Sequence, residues 1–267
     1  MTILSWAEFI ATRELAPLSV TIGVFDGVHL GHRRLLDTVL AKSPSMKSAV
    51  ITFRDNPKKV LHPQSFKGSI FSMEQKLDVF RTAGIDACVL IDFSQNFGTL
   101  SGAEFLSLLA NAGVKFLCVG PNFRCGHRMD TNAQALAQIS RRLGMEAEIA
   151  EPVLYGSHPV SSSRIRNAIV EGRLSEAADM LGRPHKVELE AVTDRQADAS
   201  GGMALRPTAD ALLPPEGNYR VVVETATGKE SLVARIGEGL IRVESLEGRG
   251  AGRVAIMNVV SQEWKEI

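Results

Sequence analysis

From Ser19 to Val24 the chain reads SVTIGV, a β-branched apolar run too short for a helix. The stretch FDGVHLGH follows, and then RRLLDTVLAK, whose apolar positions recur at helical spacing. The order is strand, loop, helix, and it repeats. SAVITF (48–53) and DACVLIDF (86–93) read as strands on either side of a helix, MEQKLDVFRTAG (73–84), that stops at a glycine. SGAEFLSLLANAG then predicts a helix, KFLCVG a strand, TNAQALAQISRRLG a helix and EAEIAEPV a strand, with two short helices in SSSRIRNAIVEG and LSEAADMLG. Strands alternating with helices predict an α/β fold, a doubly wound, Rossmann-like parallel sheet with both faces covered.

After Gly182 the period shortens. KVELEAVTD, NYRVVVETATG, ESLVARIG, LIRVESLEG and RVAIMNVVS are alternating runs separated by Gly, Asp and Pro turns, the pattern of a small antiparallel β-barrel-like domain. The boundary falls in GRPHK, which gives domains at 1–185 and 186–267. Residues 194–218, rich in Ala, Gly, Asp and Pro, read as one long mobile loop.

Composition narrows the function classes. Hydrophobic residues make up 45% of the 267 and charged residues 22%, enough apolar material for packed cores. Thirty Lys and Arg balance thirty Asp and Glu, so neither a nucleic-acid nor a membrane partner is expected, and an anionic ligand must be held locally. Nothing in the composition bears on oligomeric state. Cys88, Cys118 and Cys125 are an odd number without a CxxC pair, which argues against a disulfide framework or a structural zinc site. No basic stretch leads into an apolar core at the start, and no run approaches the roughly 20 apolar residues of a membrane span, so the expected address is cytoplasmic.

The candidate chemistry lies in Gly23-Val24-Phe25-Asp26-Gly27-Val28-His29-Leu30-Gly31-His32, between the first predicted strand and the first long helix. In open α/β sheets ligands bind at the carboxyl ends of strands, where a helix start offers free N–H groups and a positive dipole to phosphate. Gly27 and Gly31 permit close backbone approach, and His29 and His32, three apart on the starting turn, can point at one ligand. Attack at a nucleotide α-phosphate needs charge stabilisation more than a nucleophilic side chain, and imidazoles supply it. Cys125 reads as a small buried filler, because this chemistry needs no covalent step.

HxGH in this position resembles the signature of the nucleotidyltransferase superfamily, and TIGVFDGVHLGH resembles its bacterial FAD synthetase branch. VITFRDNPKKVL, FSMEQKLDVFRTAGID, CVGPNFRCGHRMDTNAQAL and VSSSRIRNAIVEGRLSEAADMLGRPH resemble that family's later blocks, in its order. The resemblance implies an FMN adenylyltransferase that joins the AMP of ATP to FMN, with Mg2+ accompanying ATP and FAD as product. It implies that His29 and His32 are catalytic at the phosphates, and that Gly23, Phe25, Asp26, Gly27 and Gly31 shape the nucleotide cradle. Ser162, Ser163 and Arg166 would hold phosphate at a helix start, with Arg164 facing solvent. Asn122, Phe123 and Asn56 would border the flavin. The chain departs from the usual pattern at Asp55-Asn56-Pro57, where Pro-His-Pro is common, and at Asn122, Cys125 and Thr131.

Many relatives carry a riboflavin kinase barrel after this domain. Here Pro207-Thr208-Ala209-Asp210 resembles the kinase's Pro-Thr-Ala-Asn motif with its last residue changed, which makes Thr208 and Asp210 vestigial metal-ligand candidates, and Glu244 is the nearest match to the kinase glutamate. The kinase activity is expected to be weak or lost. Two alternatives stand beside the adenylyltransferase: a bifunctional riboflavin kinase/FMN adenylyltransferase, and an inactive flavin- or nucleotide-binding protein.

Overall fold

A computed structural model of the chain describes residues 1–12, 17–92, 97–191, 203–208, 210–225, 228–243 and 255–262. The chain groups into two units, residues 1–66 with 73–159 and residues 67–72 with 160–267. In chain order the first contains β1 (Thr2–Ser5), α1 (Trp6–Ala11), β2 (Leu18–Ile22), α2 (Leu30–Leu40), β3 (Lys47–Phe53), α3 (Pro57–Leu61), α4 (Met73–Thr82) and β4 (Ala87–Ile91). It continues through α5 (Gly102–Asn111), β5 (Val114–Val119), β6 (Arg124–Cys125), β7 (Thr131–Asn132), α6 (Ala133–Arg142), β8 (Glu146–Ile149), β9 (Leu154–Tyr155) and β10 (His158–Pro159).

Six of these strands form a parallel sheet in the order β1-β4-β3-β2-β5-β8. From β2 the chain winds outward through β3 and β4 on one side, then returns to build β5 and β8 on the other. The direction of winding reverses between β2 and β5, and the carboxyl ends of those two strands flank the crevice that such a reversal opens. Val20, Ile22, Ile51, Val89 and Leu117 on one face of the sheet pack with Phe9 of α1, Phe105 and Leu109 of α5 and Leu136 of α6. The alternate residues, among them Ser19, Thr21, Val50 and Cys118, are buried on the other face, which α2 covers. Both faces are closed, as the near-continuous apolar strands predict.

β1 and α1 add an edge strand and a helix that the periodicity did not signal. α1 is set by a capping box, in which Ser5 Oγ accepts from the Glu8 N–H and the Glu8 carboxylate accepts from the Ser5 N–H.

The second unit holds α7 (Ser162–Val170), α8 (Leu174–Leu181), β11 (His185–Ala191), β12 (Met203–Pro207), β13 (Gly217–Thr225), β14 (Gly228–Gly237), β15 (Leu240–Val243) and β16 (Ala255–Gln262). Its strands close into an antiparallel barrel in the order β11-β12-β15-β14-β13-β16, with β16 returning to β11. Every second residue points inward: Val187 and Leu189, Tyr219, Val221 and Val223, Ala234 and Ile236, Ile241 and Val243. The single loop expected over 194–218 is corrected, because residues 203–207 within it form β12, paired to β11 and β15. Its run, MALRP, is short and sits among turn-forming residues, so the pairing partners, not the local pattern, make it a strand. Segment 67–72 joins this unit through Ser69, whose N–H donates to Asp210 O at 2.7 Å and whose carbonyl accepts from Leu212 N–H at 2.9 Å. Glu244 lies outside the described residues.

Candidate active site

All five residues of β2 are buried, and its carboxyl end delivers residues 23–28 to the start of α2. β3 tethers this loop, since Gly23 N–H donates to Ile51 O at 3.1 Å and Thr52 Oγ1 donates to Val24 O at 3.1 Å. The loop then turns through three left-handed residues, Phe25 (φ 53°), Gly27 (φ 81°) and Val28 (φ 34°). Gly27 adopts its angle without a steric penalty, whereas a bulky and a β-branched residue at positive φ are strained by roughly 1–3 kcal/mol each. Strain of that size persists only where the surroundings hold it.

His29 is the N-cap of α2, and its Nδ1 accepts from the His32 N–H at 3.2 Å. Ser, Thr, Asp and Asn usually take this position, which is why the apolar pattern starts the helix at Arg33 while the structure starts it at Leu30. A neutral imidazole that accepts at Nδ1 carries its proton on Nε2, so the cap itself assigns the tautomer and makes Nε2–H the ring's donor. The two imidazoles stack with centroids 3.6 Å apart and planes at 14°. In the same first turn the N–H groups of Leu30 and Gly31 have no intrahelical acceptor by helix geometry.

Phe25 is fully buried, its ring centroid 5.0 Å from His32 and, edge to face, 5.5 Å from Phe80 of α4. It acts as a prop beneath His32. Asp26 is 4% exposed, and Asn56 Nδ2 lies 3.5 Å from its Oδ2, the long limit of a hydrogen bond. Asn56 also caps α3, its Oδ1 accepting from Lys58 N–H at 3.0 Å.

One ionisable group here escaped sequence reasoning. Lys76 of α4 is only 6% exposed. Burial pushes its ammonium below the ordinary lysine range, while Asp26 and Asp55 act to hold the proton on. In sequence it is one lysine in an amphipathic helix, and nothing local marks it as buried.

After β5 come Asn122, which is exposed, and Phe123, which packs in part against the core. The far end of this loop is pinned to α5, since the Asp130 carboxylate accepts from Gly102 N–H at 3.1 Å and from the Thr131 hydroxyl at 2.8 Å. Cys125 packs against the core as a filler, and burial pushes its thiol up to about 12.

In the second unit Ser161 caps α7, accepting from Arg164 N–H, so Ser162 and Ser163 are its first two residues. Arg166 Nε donates to Gly68 O at 3.1 Å. Arg164 does not simply face solvent: it lies 3.7 Å from the Glu176 carboxylate. The Thr208 N–H and hydroxyl both donate to Glu188 O, at 2.8 and 3.3 Å, and the Asp210 side chain is exposed. Among the described residues no group of three or more His, Cys, Asp or Glu side chains is arranged to hold a metal ion, and no helix is long and apolar enough to cross a membrane.

The structure thus gathers Gly23, Phe25, Asp26, Gly27, His29, Gly31, His32 and Asn56 around the carboxyl end of β2, with Asn122 and Phe123 following the neighbouring strand β5. Ser162, Ser163, Arg166, Thr208 and Asp210 belong to the second unit.

Comparison with known proteins bears on the same region. The sequence pattern of the FAD synthetase family matches residues 11–164. A bifunctional riboflavin kinase/FMN adenylyltransferase from Buchnera aphidicola (strain Sg) is 28% identical over 63% of this chain and 56% of its own length. One from Haemophilus influenzae is 27% identical over 82% of this chain and 73% of its own. The crystal structure of a macrolide-efflux protein from Streptococcus pneumoniae superposes with a TM-score of 0.84, covering 98% of this chain and 91% of that one. At 24% identity that likeness speaks to the fold alone.

Proposed function

The chain belongs to the FAD synthetase family, whose pattern spans more than half of its residues, and from that premise we propose that it transfers AMP from ATP to FMN, releasing pyrophosphate. The observation that carries the reading is the stacked pair His29 and His32 on the first turn of α2, at the carboxyl end of β2 and beside the sheet's switch point. An oxygen of the FMN phosphate attacks the α-phosphorus of ATP in line, one P–O bond forms, and the bond to the β-phosphate oxygen breaks. The attacking group is already anionic, so the protein needs to orient it and to stabilise charge on the transferring and leaving groups. His29 Nε2–H, the His32 ring and the N–H groups of Leu30 and Gly31 are the donors for that task. Gly23, Asp26 and Gly27 shape the cradle, and Phe25 holds His32 in place.

Magnesium enters as part of the MgATP substrate, held by phosphate oxygens and water. Ser162, Ser163 and Arg166 hold phosphate, and Asn56, Asn122 and Phe123 border the flavin, as the family pattern implies. The substrates are small molecules, and the protein works in the cytoplasm. Riboflavin kinase activity is weak or lost in the barrel. Asp210 replaces the usual Asn, and the Thr208 hydroxyl is engaged with Glu188 O.

The test is chromatography of products from purified protein with MgATP and either FMN or riboflavin. FAD from FMN, with no FMN from riboflavin, supports the proposal. FMN from riboflavin would make Thr208 and Asp210 working residues, and neither product with substrates in excess would leave a flavin- or nucleotide-binding protein.

A further inference from the structure

β6 and β7 are the arms of a short hairpin, with Cys125 opposite Thr131, and residues 126–130 form its tip. The hairpin begins directly after Phe123 and ends at Asn132, which caps α6 by accepting from Ala135 N–H at 2.9 Å. At the tip, Arg128 and Met129 are both left-handed, at φ 55° and 59°, and their side chains are exposed. Two consecutive non-glycine residues in that region persist only where the surroundings hold them.

The start of α5 holds this tip. Asp130 Oδ1 accepts from the N–H of Gly102, the first residue of α5, at 3.1 Å, and from the Thr131 hydroxyl at 2.8 Å, while Oδ2 lies farther from the same N–H at 3.4 Å. His127 adds two bonds, its backbone N–H donating to Leu100 O at 2.7 Å and its ring Nδ1 to Gly98 O at 2.9 Å. The fit leaves no room for a side chain at residue 102, where a Cβ would fall 2.1 Å from Thr131 Oγ1. Thr131 is also a position at which the chain departs from the usual family pattern, and here the departing side chain is itself part of the clamp.

We infer that Asp130 is a positioning residue for FMN: by clamping the hairpin to α5 it fixes the loop at Asn122 and Phe123 in the shape that receives the flavin. It touches no reacting atom in this role. Asp130 is itself exposed, so its hydrogen bonds and not its burial give it this effect, and replacing it leaves the core intact. The loop that carries the histidines is tethered separately, to β3 through Ile51 and Thr52, so the effect falls on FMN and spares ATP.

The inference rests on the adenylyltransferase reading for its ligand, and the two are separable by experiment. FMN binding is read by quenching of flavin fluorescence and MgATP binding by calorimetry, on the full chain as wild type, Asp130→Ala and Asp130→Asn. Because one oxygen accepts both of the shorter bonds, an Asn whose amide oxygen takes that place keeps the clamp. The expected result is that Asp130→Ala weakens FMN binding about tenfold and MgATP binding less than about threefold, while Asp130→Asn stays within about threefold of wild type for both. An equal loss for the two ligands, no loss for FMN, or an Asn variant as weak as the Ala variant would overturn the inference. Should Asp130→Ala fail to fold, Thr131→Val removes one of the two bonds and is expected to weaken FMN binding about threefold or more, and unchanged FMN binding in that variant overturns the inference. FAD formation by wild type is followed alongside. Wild type that binds FMN without forming FAD sinks the enzymatic reading and leaves the comparison readable, whereas wild type that binds no FMN sinks both.

Discussion

The ring of His29 does two jobs for His32: its Nδ1 accepts the His32 backbone N–H at 3.2 Å, and its plane stacks on the His32 imidazole at a centroid distance of 3.6 Å. One histidine thereby starts the helix and orients the next. The two roles separate by substitution. His29→Ala removes the cap and the donor, so it should lower stability by about 1 kcal/mol in denaturant titration and cut FAD formation about 10²- to 10³-fold. His29→Asn restores a good cap and should recover the stability but not the activity. An Asn variant with near-native kcat would show that the imidazole is a helix cap and nothing more.

On the proposed function, Ser161 and Ser162 divide structure from ligand binding in the same manner at α7. Ser161 accepts the Arg164 N–H at 3.3 Å, so Ser161→Ala should cost about 1 kcal/mol in thermal or chemical unfolding. Ser162→Ala leaves the cap intact and should alter stability by no more than about 0.5 kcal/mol while raising the KM for ATP. The reverse pattern would mean that Ser162 is the structural residue.

The loop after β5 depends on a glycine for two reasons. Gly126 sits at φ 83°, and a Cβ there would fall 2.1 Å from Asp130 Oδ1 and 2.3 Å from the Gly102 nitrogen. Gly126→Ala must therefore displace the carboxylate that pins the loop to α5. A loss of roughly 1–3 kcal/mol is expected, together with weaker flavin binding by fluorescence quenching, since the same loop begins at Asn122 and Phe123.

Asp86 ties β3 to the turn before β4 through Ser48, whose N–H and hydroxyl donate to its carboxylate at 2.9 and 2.8 Å. The Ser48 N–H is the main cause holding the Asp86 carboxyl below its ordinary value of 3.8, against an opposing desolvation. A carboxylate with a depressed folded-state pKa stabilises the fold above about pH 4, and that contribution disappears as pH falls through the folded value. The stability gap between wild type and Asp86→Asn should be constant from pH 5 to 7 and narrow below 3.8. A gap that widens in acid would contradict the assignment.

The buried thiols should be inert in the native state. Burial raises Cys88 to about 12 and Cys118 to about 11, so at pH 8 roughly 10⁻⁴ to 10⁻³ of each is thiolate even before steric exclusion. Ellman's reagent should label neither until denaturant is added, and rapid native labelling at either site would refute the packing around it.

Local chemistry made much of this protein legible from its residues in order. Strand, loop and helix alternate with periods of 2 and 3.6, and those periods are short-range properties of the backbone. The string FDGVHLGH could be placed after a strand and before a helix for the same reason. Other features depend on what lies across space. MALRP becomes β12 only because β11 and β15 stand on either side of it. Segment 67–72 pairs with residues more than 130 positions away through Ser69, Asp210 and Leu212. Lys76 looks like any surface lysine of an amphipathic helix until the fold buries it. Periodicity tells which face of an element is apolar, but burial, charge pairing and strand partnership are set by distant residues. Only the tertiary structure decides those.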